Sequence, residues 1–506
     1  MSNSESAYQN ELKSITKNAG ITAAGLFLFN LMSFVNNAII TRWLGAEQYG
    51  LYVLATRILE FLFVIAALGL NQSIIRFVSL YQGINNRPLI KGTVIYSLKF
   101  SLVASFVLVV VVFFLSDIIS IHIFNRPELS FYLRFLLVTI PFAVVISILS
   151  NTFVGLKMIR QQSFVNNILS PTLFFVLILG AYLSGFGLDG LITAHIFNII
   201  IVAAIVVVMI TNYYFKPEKL IKPQTETKKL WNFNIPVYLT HFSSTTFRLS
   251  PIFILGLYLT NTEIGIYNVS YKISALVVFS MAMFRMIFMP TISGLFAKND
   301  KATIQRLFQT VTRWIFAFSL MVSLLIQANG LAILGIFGDE FSAGMTVLTI
   351  MLLGELINSS TGLTGAVIMM SGRSKLALAN SVIQFVLMLL LAFILIPLYG
   401  TVGAAIAYAA TMLIINIIML LELRHYEKLN PFNSGFLKPI IAGSAAYLSV
   451  LLLGNMLTLQ PLFGLLIFSC LFVLVFGVAI FFLKPDEDDK VLFEIIAGRL
   501  KLRSGA

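Results

Sequence analysis

The chain has 506 residues, of which 58% are hydrophobic and 11% charged, with a net charge of +13. A water-soluble globular chain carries roughly 25% charged residues, so this composition excludes a soluble fold. It predicts instead an all-α polytopic membrane protein, because the apolar runs reach about 20 residues, enough to cross a hydrocarbon core of about 30 Å as helix. A β-barrel would show short segments of alternating polarity, whereas 102–115 and 462–483 are apolar on every face.

The first eighteen residues are polar and carry Glu5, Glu11, Lys13 and Lys17. That is not a signal peptide, and the first span is expected to stay in the mature protein. Hydropathy and turn residues predict about fourteen spans. Six, near 18–41, 49–80, 92–115, 129–154, 163–184 and 190–212, make an N-lobe over 1–212. A basic, proline-punctuated linker at 213–230 follows, expected to be cytoplasmic. Six more, near 231–258, 263–290, 305–328, 342–369, 376–397 and 402–423, make a C-lobe over 231–426. Two further spans, near 438–456 and 461–483, fill 427–484, with Cys470 in the last of them. A single cysteine allows no intramolecular disulfide and no Cys-x-x-Cys metal site. In the tail, 485–506, the stretch 491–503 alternates apolar and charged residues as an interfacial helix does. Its acidic run 486–489 reads as solvated.

Loop lysines and arginines set the orientation, since short basic loops stay cytoplasmic. Only Arg42 and Arg126 fall in loops on the opposite side from the rest, which places both termini in the cytoplasm. The basic face suits anionic lipid headgroups rather than nucleic acid. The chain also repeats itself. Gly50, Tyr52, Ala55, Arg57 and Ile58 recur in register as Gly265, Tyr267, Ser270, Lys272 and Ile273, and Gly187 and Gly190 recur at nearly the same offset as Gly400 and Gly403. An even number of crossings separates the copies, so the six-helix lobes are expected to be related by a pseudo-two-fold axis along the membrane normal.

Ionisable groups inside spans cost at least about 2.5–3.5 kcal/mol and are the sharpest functional signal. Arg76, Lys99, Arg134, Arg285 and Arg313 lie near span ends, where long side chains are expected to snorkel. Arg57, Lys272 and Arg248 lie deeper, each about 14 Å from the outer face. Three cations in one layer suit a hydrated cavity that binds a polyanion such as a diphosphate; structural pairing is the alternative. Glu60 is three residues from Arg57 and is expected to pair with it. Glu355 has Asn358, Ser359 and Gly362 on its side of the helix and no basic residue one turn away, so it needs a distant partner or a proton. Either carboxylate is a candidate site for a coupling Na⁺ or H⁺. His241 and Ser244 form a polar stripe with Arg248 between Pro236 and Pro251, and Asn71 continues the face of Arg57 and Glu60. For His241 a hydrogen-bonded core position is the alternative reading. There is no Walker A loop, no His-Glu-x-x-His, no Gly-x-Ser-x-Gly and no ligand cluster, which predicts neither an enzyme nor a cofactor.

The segment 42–55 contains Leu44, Gly45, Tyr49, Gly50, Tyr52, Leu54 and Ala55. In these residues the chain resembles the Wzx-type polysaccharide and O-antigen flippases, in the polysaccharide transporter family of the multidrug/oligosaccharidyl-lipid/polysaccharide (MOP) superfamily. The resemblance implies two lobes around a cationic cavity in the bacterial inner membrane. It implies movement of undecaprenyl-diphosphate-linked oligosaccharide from the cytoplasmic to the periplasmic leaflet by alternating access, for O-antigen, capsule or exopolysaccharide assembly. Arg57 and Lys272 would hold the diphosphate, with a polysaccharide polymerase and a chain-length regulator as partners. Peptidoglycan-precursor flippases carry a basic cluster in the first span where this chain has Asn30, Ser33, Asn36 and Asn37, which makes that cargo a poorer match. The competing reading is a multidrug or cation antiporter of the same superfamily, which would favour a cavity rich in carboxylates.

Overall fold

The structure, a computed structural model, describes residues 3–212, 222–456 and 461–483. The first part of the linker, 213–221, and the tail with its expected interfacial helix lie outside the described residues. Those described form helices and no strands, in two compact units, Met1–Asn268 and Val269–Ala506.

The first unit opens with α1 (Asn3–Ala67), a 65-residue helix interrupted at Gly45, whose φ of 74° is the left-handed geometry that glycine adopts without strain. The interruption divides two predicted spans. A second break, at Leu68 (φ 52°) and Gly69 (φ 71°), starts α2 (Leu70–Gly83), where a continuous span 49–80 was expected. Backbone freed inside a membrane needs substitute partners. Ser101 donates to the Ala67 carbonyl at 3.1 Å and Asn234 to the Leu68 carbonyl at 2.7 Å. Ser101 belongs to α3 (Arg87–Asp117), which Asn86 caps by accepting from the Leu89 amide and which continues as a π-helical turn, Ile118–Ile123. The predicted fourth span is a bent pair, α4 (Pro127–Leu137) and α5 (Thr139–Gly155), meeting at 46°. The fifth is α6 (Ile159–Ser163), a π-helical stretch at Phe164–Leu169 and α7 (Ser170–Ser184). After Gly185 and α8 (Gly187–Ile210) comes α9 (Thr227–Tyr258), which packs on α1 and α2. The unit closes within α10 (Asn261–Ser274).

The boundary between units therefore falls after Asn268 and not at the 213–230 linker where the sequence repeat divides the chain. Packing draws this line. Asn234 of α9 plugs the α1–α2 break, accepting from Ser73 at 2.6 Å while donating to Leu68, and Gly69 lets the Tyr238 backbone approach.

In the second unit the expected span 263–290 is interrupted by a turn between α10 and α11 (Phe279–Ala297). Then come α12 (Lys301–Ala328), capped by Asp300, α13 (Gly330–Gly335), a 3-10 turn at Asp339–Gly344 and α14 (Met345–Ser360). The left-handed Gly362 (φ 63°), set tight against Thr312, separates α14 from α15 (Thr364–Met370) inside the expected span 342–369. The 53-residue α16 (Ser374–Tyr426) breaks at Gly400 (φ 60°), between two predicted spans. Helices α17 (Leu437–Met456) and α18 (Pro461–Phe482) pack through Ala442, Ala446 and Val450 against Phe472 and Phe476.

Among the described residues, nine helices, or ten if the bent pair is one span, are long and apolar enough to cross a membrane, which makes this a multi-pass membrane protein. Two predicted spans fall outside that number for physical reasons. Helix α9 carries His241, Ser243, Ser244, Thr245, Thr246 and Arg248 close together, and the turn after α10 leaves that helix only 14 residues long.

Candidate substrate site

The stretch of α1 after Gly45 places Tyr49, Tyr52, Thr56, Arg57 and Glu60 at helical spacing along neighbouring faces. Thr56 turns its hydroxyl back to the Tyr52 and Val53 carbonyls, both at 2.9 Å. Tyr52 shares a 2.8 Å hydrogen bond with His195 Nδ1, and Phe174 meets the imidazole edge-on. Below them Arg57 donates to Glu60 Oε2 at 2.7 Å, the expected one-turn pair.

The structure extends that pair in two directions within the first unit. Arg248 of α9 donates to the other oxygen of Glu60 at 3.0 Å, so one carboxylate joins two guanidinium groups. Arg57 also donates to Asn268 Oδ1 at 3.1 Å. Asn268 in turn donates to the Tyr49 hydroxyl at 2.7 Å, and Tyr49 to Asn37 Oδ1 at 3.0 Å. The chain of contacts Asn37, Tyr49, Asn268, Arg57, Glu60, Arg248 crosses four predicted spans. It depends on close backbone approach, since a Cβ on Gly50 would strike the Asn261 carbonyl, and one on Gly265 the Ala46 carbonyl 2.5 Å away. The two repeat-equivalent glycines thus face one another.

Two cations against one anion leave a positive excess. Arg248 is the available one, its side chain 48% exposed against 21% for Arg57. A guanidinium has five N–H donors, and these contacts leave several for phosphate oxygens. Glu60 also lines a cavity of about 420 Å³ in this unit, with Thr56, Ser147, Asn166, Ser170 and His195 among its walls. Asn166 stands on the π-helical stretch, a distortion that often marks functional positions.

The remaining expected residues are placed as follows. Asn71 is buried and donates to Ser147, so it supports the cavity wall from behind. Ser244 bonds back to the His241 carbonyl of its own helix at 3.1 Å, and His241 is half-buried on the same element. Lys272 lies near the end of α10, in the second unit. Glu355, in that unit as well, is buried against Tyr408. Of the cations expected to snorkel, Arg313 is instead 5% exposed, Arg134 pairs with Asp117 at 2.5 Å, and Arg76 lies over the Phe233 ring at 4.1 Å. Burial of Arg313 departs from the expected outward reach, whereas Arg134 keeps 36% of its side chain exposed beside Asp117. Sequence reasoning missed Tyr49, Asn268 and His195 as polar partners, although Tyr49 and Asn268 stand inside or beside the repeated motif. Among the described residues no three of His, Cys, Asp and Glu come together as a metal site.

A family model described as polysaccharide biosynthesis protein matches residues 15–296, more than half of the chain and all of the Arg57–Glu60–Arg248 cluster. The chain belongs to the polysaccharide biosynthesis protein family. This family member is 25% identical over 399 residues to the probable low-salt glycan biosynthesis flippase Agl15 of Haloferax volcanii, covering 76% of this chain and 79% of that protein. Its fold is similar to that of the lipid II flippase MurJ in an inward closed conformation, with a TM-score of 0.69 at 13% identity, covering 90% of this chain and 97% of the other. An inward-facing multidrug resistance MATE family transporter of the MOP superfamily matches with a TM-score of 0.65 at 15% identity, covering 84% and 98%. These likenesses show that the chain shares the fold of both proteins.

Proposed function

We propose that this polysaccharide biosynthesis protein is a flippase that carries a lipid-linked oligosaccharide, joined through a diphosphate such as undecaprenyl diphosphate, from the cytoplasmic to the outer leaflet by alternating access. The observation that carries the reading is the positive excess at Arg57, Glu60 and Arg248, set well inside the predicted spans, where an unneeded cation is costly. Glu60 positions both guanidinium groups and keeps them from collapsing onto backbone carbonyls. A diphosphate then takes the free donors as charge-assisted hydrogen bonds. Lys272, the repeat counterpart of Arg57, is proposed as a substrate-binding cation of the second unit. Cavity groups such as Ser147, Asn166 and His195 offer donors and acceptors suited to sugar hydroxyls. The protein sits in the cytoplasmic membrane with both ends inside, and a polymerase and a chain-length regulator take up its product. An antiporter of organic cations fits less well, because the one carboxylate at this cluster is already held by two arginines.

Replacing a charge-assisted contact of about 1.5–3 kcal/mol corresponds to a loss of about tenfold or more. Arg57→Ala and Lys272→Ala are each expected to reduce surface-glycan export at least that far while the protein stays inserted and abundant. Arg57→Lys should retain more export than Arg57→Ala. Wild-type glycan levels in both alanine variants, measured by immunoblot of the surface polysaccharide, refute the assignment.

A further inference from the structure

Glu355 plays no part in the transport reading above, and its surroundings are the reverse of those of Glu60. Its side chain, on α14, is 2% exposed. Tyr408, on the second half of α16, donates its hydroxyl to Oε1 at 2.6 Å. The other oxygen, Oε2, is buried and accepts no hydrogen bond. The seam around it is tight, since a Cβ on the preceding Gly354 would stand 3.1 Å from Ala409 Cα.

An ionised carboxylate in such a place requires donors on both oxygens or a counter-ion. Among the described residues, one donor reaches Oε1 from the elements packed against α14 and none reaches Oε2. Helix α16 contributes Tyr408, whose ring is backed edge-on by Tyr271 of α10 at 6.2 Å. Helix α12 contributes the buried Arg313, and Glu355 Oε2 has no hydrogen-bond partner on that side. Helix α13 has no titratable side chain, and the 3-10 turn carries Asp339 and Glu340 about four turns away. The other charged residues of α12 and α16 stand towards helix ends. On α14 itself the nearest polar neighbour is Asn358, which opens a track towards the Gly362 break. Asn416 donates to Asn358 Oδ1 at 3.4 Å, and Thr361 donates to Asn416 Oδ1 at 2.5 Å.

We propose that Glu355 is a neutral carboxylic acid while α14 and α16 are closed together, and that it is a proton-binding site which discharges when the seam admits water. The proton is held on Oε2, with Oε1 accepting from Tyr408. On opening, the Oε2–H bond breaks, its electron pair stays on the carboxylate and the proton passes to a water molecule. Wetting the seam supplies the solvation that the ionised form lacks when it is closed. The Asn358, Asn416 and Thr361 track marks the side from which water would arrive.

The test does not depend on the flippase reading, because it needs no substrate. Infrared spectra of the full chain in lipid nanodiscs at neutral pH are compared for the wild type, Glu355→Gln and Tyr408→Phe. The carbonyl stretch of a protonated carboxylic acid is expected in the wild type, lost in Glu355→Gln, and shifted to higher frequency in Tyr408→Phe as the hydrogen bond to Oε1 disappears. An unchanged carboxylic-acid band in Glu355→Gln, or no shift in Tyr408→Phe, overturns the proposal. So does a wild-type band that vanishes when choline chloride is exchanged for sodium chloride, which would make Glu355 a metal-cation site. Should Glu355→Gln fail to fold, the Tyr408→Phe shift decides alone.

Discussion

Sharing Glu60 between two guanidinium groups solves two problems with one side chain. Each arginine alone would be a costly cation among apolar helices, and the carboxylate lowers that cost for both while leaving the cluster positive. The Arg57–Glu60 half of this arrangement was legible in the sequence, because a three-residue separation puts both on one helix face. Arg248 and Asn268 were not, since spacing along one helix carries no information about which distant helix lies opposite. A second carboxylate acts outside the spans. Glu226 accepts from Lys229 at 2.6 Å and from Tyr81 at 2.7 Å, and these bonds hold its carboxyl below its ordinary value. Stability from a lowered carboxyl is fully present above the unfolded-state value of about 4.3 and is lost as the pH falls through the folded one. Glu226→Gln is therefore expected to lower the melting temperature at pH 7, with the two proteins converging in acid once the pH falls below the folded carboxyl's lowered value. A gap that persists unchanged in acid contradicts the assigned bonds.

Among the elements, breaks matter more than lengths. Gly45 and Gly400 divide the two longest helices at places that hydropathy and turn residues had marked. The break at Leu68–Gly69 escaped notice because the flanking residues are apolar and continue the pattern of a span. What makes it tolerable is Asn234, 166 residues away in the chain from Leu68, which fills the hydrogen-bonding gap. Asn234→Leu keeps the branched shape but leaves the Leu68 carbonyl and the Ser73 hydroxyl without this partner. A buried polar group so stranded costs about 1–3 kcal/mol. Denaturation in detergent should show that loss, and proteolysis should cut faster near α9, because Asn234 anchors that helix to the first unit. Unchanged stability would mean that the break needs no such partner.

For the molecule as a whole, the uneven sharing of lysine and arginine between loops predicts orientation. On a Cys470→Ser background, Glu128→Cys should react with a membrane-impermeant maleimide in intact cells, and Arg160→Cys only after permeabilisation. Both positions are exposed. The reverse pattern would invert the topology and with it the proposed direction of transport. At this scale contact and ancestry diverge. The repeat divides the chain at the linker, whereas compactness divides it after Asn268, because α9 and the start of α10 are bonded into the first unit through Asn234, Asn268 and Arg248.

Composition dictated a membrane protein and the long, unalternating apolar runs made it helical, since so much apolar surface with so few charges excludes a soluble fold. The repeated motif and the buried cations were equally plain, since both are patterns of residue type along one dimension. Which charges meet, which stay alone and where a helix breaks without a local signal depended on packing between helices far apart in the chain. Glu60 and Glu355 look alike on paper. Their difference comes from their neighbours, an arginine one turn away and a second across the helix interface in one case, a single tyrosine across it in the other.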